Sequence, residues 1–210
     1  MITDSRFRLF GETSFDDYVR AKVTGIARHV EDMSDQNILA NEGNLQPLCE
    51  KIAQQNTLSK VAFVFDKDQI SVTPFMDNAF IIDRFSGGTH RVERAFIKYS
   101  FPIASGSELL RICPYVYTHS RFPLVEVDNN KLVYVHDTGY ANLDFPDAKK
   151  RELNSFALSL KEELTNRSAD MNRAVEEFNS GLEKFIFPRL EVRLGSAKRD
   201  QKNKNDLNPF

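Results

Sequence analysis

A chain of 210 residues, 41% hydrophobic and 28% charged, is long enough to bury a core and has an ordinary globular composition. Its formal net charge of -2 excludes a global attraction to nucleic acid or to anionic membrane, so any such contact has to come from a local patch. No apolar run approaches the roughly 18 residues that span a bilayer, and two cysteines behind a charged N-terminus (Asp4, Arg6, Arg8, Glu12) point to the cytoplasm rather than to secretion.

Ser14 and Asp17 have capping-box-like spacing, and Phe15, Tyr18, Val19, Ile26, Ala27, Val30 and Met33 then recur at helical intervals. They predict an amphipathic helix over 14–33. A polar stretch, 34–43, precedes Leu45, Leu48, Cys49, Ile52 and Ala53, which share one side of a second helix, 44–56. From Lys60 the period becomes that of strands. Val61–Phe65, the polar turn Asp66-Lys67-Asp68 and the alternating Ile70 and Val72 read as a hairpin. Further strands are expected at 79–85, 91–101, 109–117, 123–127 and 132–136. Their short connections, among them Ala104-Ser105-Gly106-Ser107 and Asp128-Asn129-Asn130, require antiparallel pairing.

After Pro146 an apolar stripe from Leu153 to Ile186 follows the 3.6-residue period over about nine turns. Either one long helix or a helical hairpin turning at 165–168 satisfies it. The absence of Gly and Pro from 147–180 favours the single helix. Pro188 should bend or end it. The expected fold is therefore α+β: an antiparallel sheet, sandwich or partly closed barrel of about six to seven strands, with two N-terminal helices and a long C-terminal helix. The expected organisation is an α+β domain over 1–146, the helical segment over 147–195 and a polar tail or linker over 196–210.

The chemistry-bearing residues form no catalytic or metal-binding motif. His29, His90, His119 and His136 lack partners at metal-site spacing, no phosphate-cradling glycine motif is present, and no cofactor is implied. His136 and Asp137 are neighbours on a strand and should point to opposite faces. Cys113 reads as a small buried hydrophobe. A nuclease or hydrolase would use Asp66, Asp83, Glu93 or His136, at least two of them brought together by folding. A second alternative is single-stranded nucleic-acid binding, by the strand stripe Arg94, Phe96 and Lys98 together with the basic residues Arg189 and Arg193 near the end of the chain.

Tyr99-Ser100-Phe101-Pro102-Ile103, the segment Leu109–Pro114, the turn Asp128-Asn129-Asn130 and a long helix bearing Glu177-Phe178-Asn179-Ser180-Gly181-Leu182 with Arg189 and Arg193 make up one arrangement over 60–195. It resembles a module of uncharacterised bacterial proteins that precedes a C-terminal effector domain, in some cases within antiphage defence loci. The resemblance implies an accessory, sensing or oligomerising role, with a fused or co-encoded effector. The leading expectation is a non-enzymatic module in which the antiparallel sheet receives a ligand or partner, while the long helix binds a protein partner or a second copy through Leu160, Met171, Phe178 and Leu182 or relays to a following domain.

Overall fold

The computed structural model describes residues 6–82, 87–114 and 123–208. Asp83, His119 and parts of the expected strands 79–85 and 109–117 lie outside them. The chain divides into two compact units, each built from separated stretches: 1–12 with 60–171, and 13–59 with 172–210. This division cuts across the expected segments, because the helix begun after Pro146 contributes residues to both.

The first unit is an open, six-stranded antiparallel sheet, not closed into a barrel. Its strands are β1 (Phe7–Arg8), β2 (Ala62–Phe63), β3 (Ser71–Ile82), β4 (Thr89–Ser105), β5 (Leu124–Asp128) and β6 (Lys131–Asp137). They run in the order β1-β5-β6-β4, and the far edge of β4 is shared by β3 and, at its end, β2. Asn129 and Asn130, at φ 47° and 59°, make the tight β5–β6 turn with the positive dihedrals that asparagine tolerates. The expected 61–72 hairpin does not form. β3 instead pairs with β4 from Ser71↔Ser100 to Ile82↔Thr89, a twelve-residue ladder that outcompetes a short local turn.

Alternation along β4 buries Ala95, Ile97, Tyr99, Phe101 and Ile103 on one face. The start of helix α4 (Asp147–Leu207) covers it, with Phe156 packed on Tyr99, Tyr134 and His136 and with Leu153, Leu160 and Leu164 buried. α4 is continuous through 165–168. There the Ser168 hydroxyl donates back to the Leu164 carbonyl at 2.7 Å, one turn earlier in the same helix.

The second unit packs α1 (Phe15–Glu31), α2 (Asp35–Ala40) and α3 (Gln46–Asn56) with the remainder of α4. Ser14 caps α1 as its spacing predicts, accepting from the Asp17 N–H at 3.1 Å. Ser34 caps α2, a one-and-a-half-turn helix inside the expected polar stretch; only Ile38 of its residues is buried, too little to show as a period. Ile26, Val30, Ile38, Cys49 and Ile52 bury against Leu182, Ile186, Leu190 and Ala197. Pro188 neither ends α4 nor stops it short of Leu207. The proline removes one backbone bond, and the packing of Leu190, Leu194 and Ala197 on the turns that follow it outweighs that loss.

Candidate functional site

The face of β4 opposite the helix carries Arg94, Phe96 and Lys98 in one row. Phe96 stacks on Phe75 with ring centroids 5.7 Å apart, and Arg94 Nη1 lies 3.1 Å from Asp137 Oδ2. Lys98 stands between Thr73 and Val135 in the ladder. The row therefore shares a face, but its ring and its arginine are already held within the sheet. Arg189 and Arg193 lie in the other unit. Arg193 clamps the end of α1 to the start of α2, donating to the Met33 and Glu31 carbonyls and, at 2.7 Å, to Asp35 Oδ1. That guanidinium holds the Asp35 carboxyl below its ordinary range. Arg189 stacks on Phe185 at 3.6 Å and borders a cavity of about 360 Å³ with Glu31, Pro188, Val192, Arg193 and Ser196.

His136 and Asp137 do point to opposite faces: Asp137 takes Arg94, while His136 stacks on Phe156 at 4.2 Å. Burial, and then the Lys149 ammonium, push the imidazole below its usual pKa. Ile97 is the register partner of His136, so Glu93 sits four residues further along β4, about 13 Å away at strand rise. Asp66 is in an exposed turn, where its carbonyl accepts from Gln69 and Ile70. Of the described candidates Asp66, Glu93 and His136, the structure therefore brings no two together at one place. Among the described residues no group of three or more His, Cys, Asp or Glu is placed to hold a metal ion.

The proposed self-association residues occupy cores. Leu160 and Met171 are buried in the first unit and Leu182 in the second, where Phe178 packs half-buried on the same cluster. The stripe read from the sequence is thus engaged within the chain; apolar side chains left exposed stand singly on α4, at Leu158, Val192 and Leu207, and on the sheet.

The most exposed of those on the sheet stand at the tip of the β3–β4 ribbon, which sequence reasoning passed over. β6 pairs with β4 only from Phe96 to Pro102, so 76–82 and 89–95 continue as two strands. Phe80 is 75% and Ile82 69% exposed, with Val92 at 39%. The direction of the backbone groups follows from Ala95, whose N–H donates to the Tyr140 carbonyl and whose carbonyl accepts from the Thr138 N–H. Ala95 therefore turns its polar groups away from β3. Its register partner Met76 must turn its own away from β4, as must Asn78, Phe80 and Ile82 by alternation. Pro74 has the same parity, which is where a residue without an N–H does no harm to the ladder. Among the described residues, no strand pairs with this outer edge.

No protein-family model, curated protein or solved structure matches the chain. Among the described residues, no helix is long and apolar enough to cross a membrane.

Proposed function

We propose that the chain is a non-catalytic protein-interaction module whose contact surface is the β3–β4 ribbon. The observation that carries this reading is the combination, on one twelve-residue edge, of outward-facing backbone groups with Phe80 and Ile82 left in water. A two-stranded ribbon is marginal by itself, and an exposed apolar edge is a template for pairing with another chain; here Pro74 blunts the edge only near its start. Covering the two side chains at a partner contributes about 2 kcal/mol each, in addition to the ladder bonds. The reading keeps the accessory role implied by the resemblance to bacterial modules that serve a separate effector, and it keeps the partner contact on the sheet.

The test is photo-crosslinking in the native host from a photoreactive phenylalanine at position 80, with position 158, on the exposed side of α4, as the control. Adducts to protein that form from position 80 and vanish in an Ile82→Lys background are expected. A folded chain that yields none from position 80, or the same adducts from both positions, overturns the proposal.

A further inference from the structure

We infer that the occupant of the ribbon edge is a second copy of this chain, its β3 paired antiparallel with β3 across a two-fold axis at Ala79. The inference rests on the reading of the ribbon as the contact surface, and adds the partner and the register.

Antiparallel pairing of two identical edges requires outward-facing residues to meet outward-facing residues, so only certain centres are allowed. A centre at Asp77 sets two carboxylates directly opposite one another. A centre at Asn78 puts Pro74, which has no N–H, opposite Ile82 in a hydrogen-bonded position. A centre at Phe80 leaves Met76 without a partner inside the strand. The centre at Ala79 avoids all three faults: Met76 meets Ile82, Asn78 meets Phe80, and about eight inter-chain hydrogen bonds form between the proline and the strand end.

Charge does not oppose self-pairing. Asp77 is the one charged residue in Ser71–Ile82, and in this register it faces Ile81, so no like charges meet. The apolar row Met76, Phe80 and Ile82 lies on a single face of the edge, and the two-fold axis makes it continuous across four strands. The Asn78 N–H is at present held by its neighbour's carboxylate, Asp77 Oδ1 at 2.7 Å, and that local bond gives way to the inter-chain one.

The register is testable with one substitution. The polar groups of Ala79 point inward to β4, so Ala79 would face its own copy as a non-hydrogen-bonded pair, with Cα atoms about 4.5 Å apart, inside the range a disulfide closes. In a Cys113→Ser background, with the buried Cys49 retained, mild oxidation of Ala79→Cys in the full chain should give a reducible band at twice the chain mass for most of the protein. Thr73→Cys, beyond the proline, should give at least ten-fold less. Adding Asn78→Pro should suppress the Ala79→Cys dimer, because it removes an outward N–H and leaves the β3–β4 ladder intact, as Pro74 does; circular dichroism checks that the variant is folded. A monomeric Ala79→Cys chain, or equal dimer from Thr73→Cys, overturns the inference. If Ala79→Cys stays monomeric while the position-80 probe reaches a protein of another mass, the self-pairing fails and the module reading stands. If both fail, both are wrong.

Discussion

Replacing Leu182 by alanine separates a core role for the helix stripe from an assembly role. Leu182 is 2% exposed within the cluster formed by α1, α2, α3 and α4. Deleting a buried leucine to alanine removes its transfer free energy and leaves a cavity, about 2–5 kcal/mol together, and the near-complete burial here places the loss at about 3 kcal/mol. At a urea dependence of about 1.5 kcal/mol per molar, the unfolding midpoint followed by circular dichroism falls by about 2 M. Sedimentation below that midpoint should be unchanged, because no inter-chain contact is assigned to this side chain. A loss under about 1 kcal/mol, accompanied by weaker association, would refute the placement of Leu182 in the core and return the helix to the assembly surface.

Asn179→Ala removes a two-point clamp, since its side chain accepts from the Leu58 N–H at 2.9 Å and donates to the Leu58 carbonyl at 3.0 Å. With Leu58 buried, a loss of about 2 kcal/mol in urea unfolding is expected, and a loss below about 0.5 kcal/mol would contradict the clamp. His136 should titrate below 6.5 by NMR. Because its folded pKa is depressed, the unfolded chain binds the extra proton first, so stability is full above 6.5 and falls as the pH drops through that value towards the folded pKa. His136→Phe should flatten this slope; an unchanged slope would assign it to other groups. Gly106→Ala should destabilise by about 2 kcal/mol or more, measured by thermal unfolding. Its φ is +71°, and a Cβ there would stand 2.7 Å from the Lys60 carbonyl oxygen and 2.8 Å from Val61 Cα, backbone that has no rotamer to escape into. A variant as stable as the parent would refute the fit.

The elements with long, regular periods were legible in the sequence. The 3.6-residue stripe from Leu153 to Ile186 gave α4, the Ser14–Asp17 spacing gave the start of α1, and the Asn129-Asn130 pair gave the β5–β6 turn. Partner choice was not legible. Val61–Phe65 and Ile70–Val72 alternate as a hairpin would, but the longer ladder of β3 on β4 is settled by twelve register pairs that no local window contains. The course of α4 past Pro188 was hidden for the same reason, because the residues that hold it, Leu190 and Ala197, are paired with helices more than 130 positions earlier. The stripe alone assigned no function: periodicity reports that a face is covered and not what covers it. The signal for the ribbon was present as Ala79-Phe80-Ile81-Ile82, four apolar residues running on without alternation. A buried strand has the same pattern, and only the exposure of Phe80 and Ile82 distinguishes the two.

The most direct measurement of the ribbon as a pairing edge is amide hydrogen exchange along β3, read residue by residue at about 1 µM and about 300 µM protein. Phe75, Asp77, Ala79 and Ile81 donate inward to β4 and should be protected at both concentrations. Met76, Phe80 and Ile82 point outward; they should exchange freely in the dilute sample and slow at least ten-fold in the concentrated one, with Asn78→Pro abolishing the change. Outward amides that exchange equally fast at both concentrations would contradict self-pairing through this edge.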